Sequence, residues 1–182
     1  MKDTLISRRE FLKDIGMIGA GVLLSASPWL SAFSEVVETS GEKCRLAIIG
    51  PGSRGRFLMS FLVQNPKVEI VALCDIYKPS IEKALELAPK AKVYDDYREI
   101  LEDKTVDAVL VATPLNSHCQ IVLDAFDAGK HVFCEKSIGF TMEECFRIYN
   151  KHISTEKVFF TGQQRLFDPR YICLLYTSPS PR

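Results

Sequence analysis

Arg45-Leu-Ala-Ile-Ile-Gly-Pro-Gly-Ser-Arg-Gly55 decides the fold. A short apolar run that reads as a buried strand feeds directly into G-x-G-x-x-G at Gly50, Gly52 and Gly55. A helix-like segment, Arg56 to Gln64, follows at once. A second apolar run, Val68 to Asp75, then ends in a carboxylate. Strand, glycine turn, helix, strand and acid in that order form a dinucleotide-binding βαβ unit. Gly50 permits the tight turn out of the strand. Gly52 lets backbone approach a pyrophosphate with no Cβ in the way, and Gly55 lets the helix pack closely on the sheet. The free N–H groups at the helix start face the anion. Asp75 is placed to accept hydrogen bonds from the adenosine ribose hydroxyls.

Outward from that unit, strands and helices alternate, which predicts an α/β fold with an open, doubly wound parallel sheet. Helices are expected over Pro79 to Leu87, Tyr97 to Glu102 and Ser117 to Ala128. A further helix follows Thr141, with Glu144 three residues on as in a capping box. Strands are expected at Ala91 to Tyr94, Val106 to Ala112, His131 to Cys134 and Lys157 to Thr161. Right-handed crossovers put every strand's C-terminal end on one edge of such a sheet, so the turns that follow the strands share one crevice.

Three segments fall on that edge. In Thr113-Pro-Leu-Asn-Ser-His118, Pro114 stops the ladder and Asn116 or Ser117 is suited to cap the next helix. In Cys134-Glu-Lys-Ser137 a charged pair directly follows a buried strand, and the Lys136 ammonium is directed at a substrate hydroxyl or the nicotinamide ribose. Gly162-Gln-Gln-Arg165 is, taken alone, a polar loop.

The 182 residues carry 23 basic and 23 acidic side chains, a balance that gives no sign of a nucleic-acid or anionic-membrane partner. Ser7-Arg8-Arg9-Glu10-Phe11-Leu12-Lys13 looks like a twin-arginine (Tat) export signal, and Ile15 to Ser34 contains no charge. Residues 1–34 are therefore expected to be a targeting segment recognised by the Tat machinery, and 35–42 a linker. The domain proper is expected over 43–171, exported to the periplasm and either cleaved near Ala32 or held by an uncleaved signal. Residues 173–182 resemble translated sequencing adapter and read as a non-native tail. Of the six cysteines, Cys74 and Cys134 end apolar strands while Cys119 and Cys145 fall in helical segments. With no C-x-x-C and no Cys/His ligand spacing, free buried thiols are expected and no metal site.

Gly50-Pro-Gly-Ser-Arg-Gly55, Cys74-Asp-Ile-Tyr77, Thr113-Pro-Leu-Asn-Ser-His118 and Glu135-Lys136 together resemble, in order and spacing, the N-terminal domain of the Gfo/Idh/MocA oxidoreductases. The usual family form is Glu-Lys-Pro, and Ser137 stands where the proline would be. The resemblance implies a Rossmann domain followed by a second α/β domain that carries most substrate contacts and is absent from this chain, which reads as the N-terminal part of a longer, homo-oligomeric enzyme. It assigns the catalytic role to Lys136, orienting a sugar hydroxyl. Cofactor contacts fall on Gly50, Gly52, Ser53, Arg54, Gly55, Asp75, Thr113, Asn116, His118 and Glu135. Asp75 favours NAD, since a carboxylate repels a 2′-phosphate, while Arg54 and Lys78 leave NADP open.

The activity implied is an NAD(P)-dependent oxidoreductase acting on a sugar or polyol. Export adds a constraint: outside the cytoplasm there is no ordinary pool of nucleotide to exchange with, so a tightly held cofactor and a closed redox cycle are expected. One alternative is the family's redox-neutral glycoside hydrolase chemistry, in which oxidation of a ring carbon permits elimination of the glycosidic bond. Another is a non-catalytic dinucleotide-binding module.

Overall fold

A computed structural model describes residues 43–171 and Cys173. The Tat-like segment, the linker and the rest of the C-terminal tail lie outside the described residues. In chain order the elements are β1 (Cys44–Ile49), α1 (Ser53–Leu62), β2 (Val68–Cys74), α2 (Lys78–Leu85), β3 (Lys92–Tyr94), α3 (Tyr97–Glu102), β4 (Ala108–Val111), α4 (Leu115–Asp127), β5 (His131–Cys134), α5 (Met142–Ile153) and β6 (Phe159–Thr161), followed by a 3-10 turn at Gln164–Phe167.

All the strand pairings are parallel, and the order across the sheet is β3-β2-β1-β4-β5-β6. This is the doubly wound order of a Rossmann fold. The direction of winding reverses between β1 and β4, so the turns that leave these two strands diverge and open a crevice between them. Because helices cover both faces, the central strands are apolar without alternation. Every residue of β4 is buried, and the core gathers Ala47, Ile49, Val109, Val111, Val122, Val132, Phe126 and Ile148.

The opposite edge of the sheet is tied by polar groups. Arg45 in β1 makes a two-pronged ion pair with Asp107, at 2.6 and 3.0 Å, which holds the Asp107 carboxyl below the usual carboxylate range. The buried Lys130 ammonium donates to the Asp103 and Val106 carbonyls at 2.7 and 2.8 Å, satisfying two acceptors in the turn before β4.

Several boundaries differ from the sequence expectation for identifiable reasons. Helix α1 begins at Ser53, ahead of the expected Arg56, because Gly52 is extended (φ −63°, ψ −161°) and its carbonyl already accepts from the Arg56 N–H. The third glycine thus lies inside the helix. Helix α4 starts at Leu115 with Pro114 as its cap, and neither Asn116 nor Ser117 caps it. Ser117 Oγ sits inside the first turn instead, 2.7 Å from the Pro114 carbonyl and 2.8 Å from the Thr113 hydroxyl. At α5 the expected capping box forms, with Thr141 and Glu144 each bonding the other's backbone N–H.

Candidate functional site

The crevice is built first by Gly50. Its φ of +86° is open to glycine at little cost, and a Cβ there would stand 2.8 Å from backbone atoms of Ala112 and Thr113. Its N–H donates to the Cys74 carbonyl at 2.8 Å, so the glycine turn is clamped between the ends of β2 and β4. Gly55 packs against that turn itself, where an added Cβ would lie 2.5 Å from the Gly50 oxygen. Gly52 is different in kind. A Cβ added there meets nothing within 4 Å, and no side chain caps the helix it begins. An open cradle of first-turn N–H groups beside an unobstructed α-carbon fits the pyrophosphate of a dinucleotide. Ser53 stands exposed at the first position of α1.

At the end of β2, Asp75 is half-buried and one of its carboxylate oxygens accepts from the Tyr77 N–H at 2.9 Å. That bond shapes the turn into α2. Beside it Ile76 is 97% exposed, an apolar side chain at the adenosine end of the crevice that sequence reasoning left without a role.

The other side is made by the ends of β4, β5 and β6. Thr113 is half-buried beside Gly50, and Asn116 is exposed on the first turn of α4. His118 is only 2% exposed, and its ring nitrogens lie 2.8 Å from the carbonyls of Thr113 and Ser137. It ties the loop after β4 to the loop after β5, and so acts on the crevice through those loops.

Glu135 is 5% exposed, and a carboxylate so buried requires partners. Arg54 supplies them from across the crevice, with Nε and Nη2 both 2.7 Å from Oε1, while the Lys136 N–H donates to Oε2 at 3.1 Å. The carboxylate also lies over the bare α-carbon of Gly162, where a Cβ would approach its oxygens to 2.9 Å. Gly162, which the sequence placed on this edge only as part of a polar loop, thus makes room for the carboxylate. Its signal was its place, one residue after a strand end, as Gly50 is. Lys136 is exposed at this edge, and the peptide bond that follows it is cis. Among the described residues its ammonium has no hydrogen-bond or ion-pair partner.

The thiols nearby are inert. Burial pushes Cys134 up to about 12 and Cys74 up to about 11, and none of the six cysteines forms a disulfide. Among the described residues no cluster of His, Cys, Asp and Glu is arranged to hold a metal ion, and no helix is long and apolar enough to cross a membrane.

Comparison with known proteins gives a consistent picture. Residues 44–163 match the Gfo/Idh/MocA pattern, described as an oxidoreductase family with an NAD-binding Rossmann fold. A glycosyl hydrolase family 109 protein of Stenotrophomonas maltophilia is 34% identical over 162 residues, covering 82% of this chain and 34% of the relative. An alpha-N-acetylgalactosaminidase of Shewanella oneidensis is 30% identical, covering 84% and 38%. Among solved structures, myo-inositol dehydrogenase from Lactobacillus casei, in complex with NAD(H) and myo-inositol, superposes with a TM-score of 0.67 at 33% identity over 70% of this chain and 38% of that one. An NAD-binding protein from Listeria innocua gives 0.65 at 33% identity, over 71% and 38%. The chain therefore spans little more than a third of the length of these relatives.

Proposed function

The chain belongs to the Gfo/Idh/MocA oxidoreductases and contributes their NAD-binding Rossmann domain, and from that premise we propose that the protein to which it belongs performs hydride-transfer chemistry on a sugar or polyol. One observation carries this reading. The turns that carry Gly52, Asp75 and Lys136 follow β1, β2 and β5, whose C-terminal ends lie on one edge of the parallel sheet. NAD, when bound, supplies a reversible acceptor of hydride. The chain's own residues do the rest of the work in this half of the site. The first-turn N–H groups of α1 bind the pyrophosphate, Asp75 orients the adenosine ribose, and the Lys136 ammonium donates to the substrate hydroxyl oxygen and so orients it. Thr113 and Asn116 line the path between them. His118 fixes the two loops against each other, and the Glu135 carboxylate anchors the lysine loop by accepting from the Lys136 backbone N–H.

The twin-arginine leader takes the folded protein out of the cytoplasm. There a cofactor retained through successive turnovers, with a closed redox cycle, suits the absence of an exchangeable pool. A second reading shares the first chemical step. The family 109 and alpha-N-acetylgalactosaminidase relatives favour a glycosidase in which oxidation of the sugar makes a neighbouring C–H acidic enough for the glycosidic oxygen to leave.

The intact protein, with its substrate domain, separates the two. With myo-inositol and NAD+, growth of absorbance at 340 nm supports the dehydrogenase. Release of nitrophenol from a nitrophenyl N-acetyl-α-galactosaminide without net NADH supports the hydrolase. Binding of NAD+ with neither turnover would leave a binding module and overturn both.

A further inference from the structure

Arg54 leaves the crevice's central turn from the second position of α1, one residue before Gly55. From there two destinations are open to its side chain. The end of β2, with Asp75, adjoins β1 on one side, as the Gly50 to Cys74 hydrogen bond shows. The ends of β4 and β5 lie on the other side. A strand spacing of ~4.8 Å puts these destinations on opposite flanks of the turn, so one guanidinium cannot serve both. It is committed to the β5 flank by two contacts of 2.7 Å to Glu135 Oε1. The acid dictates this choice. Its side chain is 6% exposed against 37% for the arginine, and its carboxylate is fixed by the Lys136 N–H and the α-carbon of Gly162. Moving the arginine away would leave a buried carboxylate without its cation.

We propose that Glu135 determines nucleotide preference by holding Arg54 away from the adenosine ribose at the end of β2. A 2′-phosphate there would meet the Asp75 carboxylate with the exposed Lys78 but no guanidinium to receive it, so discrimination against NADP rests on two acids: Asp75, which repels, and Glu135, which withholds Arg54. Glu135 is thus a positioning residue that acts through Arg54, 81 positions away in sequence. The proposal rests on the NAD-binding reading of the crevice.

The test uses the full chain and measures dissociation constants for NAD+, NADP+, 5′-AMP and 2′,5′-ADP by calorimetry. The last two carry only the adenosine end and read the ribose site without any turnover. Glu135→Gln keeps the shape and removes the charge. It is expected to lower the NADP+/NAD+ ratio of dissociation constants by about tenfold, with 2′,5′-ADP following NADP+. Adding Arg54→Ala to it is expected to abolish that gain. In the native background, Arg54→Gln is expected to leave the ratio unchanged, and this variant decides the matter if Glu135→Gln does not fold. An unchanged ratio in folded Glu135→Gln, a gain that survives loss of Arg54, or a selective loss of NADP+ affinity in Arg54→Gln would each overturn the proposal. Failure of the wild-type chain to bind either NAD+ or 5′-AMP would overturn the crevice reading itself, and the proposal with it.

Discussion

Replacing Gly52 by alanine should separate binding from stability, and replacing Gly50 should not. At Gly52 the backbone is already in a region any residue adopts (φ −63°, ψ −161°), and the new methyl meets no atom within 4 Å. Restricting the unfolded chain favours alanine by about 0.4–1 kcal/mol. Alanine is a poorer N-cap than glycine by roughly 0.5–1 kcal/mol, so the two effects nearly cancel. The urea midpoint should therefore move little. The methyl does stand in the cradle beside the first-turn N–H groups, where a pyrophosphate must come close. A tenfold or greater loss of NAD+ affinity, about 1.4 kcal/mol, is expected by calorimetric titration. At Gly50, alanine would hold φ +86° and place its Cβ 2.8 Å from the Ala112 and Thr113 backbone. The left-handed conformation costs about 1–2 kcal/mol and the overlap about 1–3 more, so that variant should lose roughly 2–5 kcal/mol of stability as well as binding. If Gly52→Ala bound NAD+ as the parent does, or were destabilised as much as Gly50→Ala, the assignment of the open cradle to a pyrophosphate would be wrong.

Acid should weaken the fold in a defined window. Hydrogen bonds from the Tyr94 hydroxyl and from Thr105 hold the Asp103 carboxyl at about 2, below its ordinary 3.8. Its folded value is the lower one, so its contribution is complete at neutral pH and is lost as pH falls from near 4 towards 2. Urea midpoints measured across that range should fall less steeply in Tyr94→Phe than in the parent. Lys130→Met should cost about 1–3 kcal/mol, because the Asp103 and Val106 carbonyls lose their buried donor; an unchanged midpoint would show that solvent reaches them. Thiol labelling at pH 8, followed by mass spectrometry, should modify the exposed Cys173 and half-buried Cys145 first. Cys44, Cys74 and Cys134, raised to about 11, 11 and 12, should react only after unfolding.

The parts of the fold that were legible in the sequence are those fixed by local pattern. β4 is an uninterrupted apolar run because both its faces are covered, and Gly50, Gly52 and Gly55 follow β1 at once. Thr141 and Glu144 advertise their cap within four residues. Val106 to Ala112 reads as one strand; β4 is Ala108–Val111, although the Asp107 and Ala112 N–H groups still donate to the Arg45 and Ile49 carbonyls of β1. Elsewhere, where the expectation went astray, a long-range partner had intervened. The pairing of Arg54 with Glu135 was not legible, because nothing local distinguishes a guanidinium that crosses the crevice from one that faces solvent. His118 reads as a polar residue after a turn, and only the assembled loops show both of its nitrogens meeting main-chain carbonyls. Gly162 needed the position of Glu135 before its missing side chain meant anything.

The two outermost strands have a bearing on how copies of this domain meet one another. β3 and β6 are each only three residues long, whereas β1 and β2 at the interior run to six and seven. An outer strand displays a row of unpaired backbone groups that can template a neighbouring chain, and the length of the row sets how much ladder a neighbour can build. Here a visiting strand would find room for a short ladder at either margin, beginning at Lys92 on one side. Lengthening β6 towards Lys157 with β-branched residues would remove that restraint. The accumulation of sheet-to-sheet aggregates in such a variant would show how much the short margins keep the parent apart.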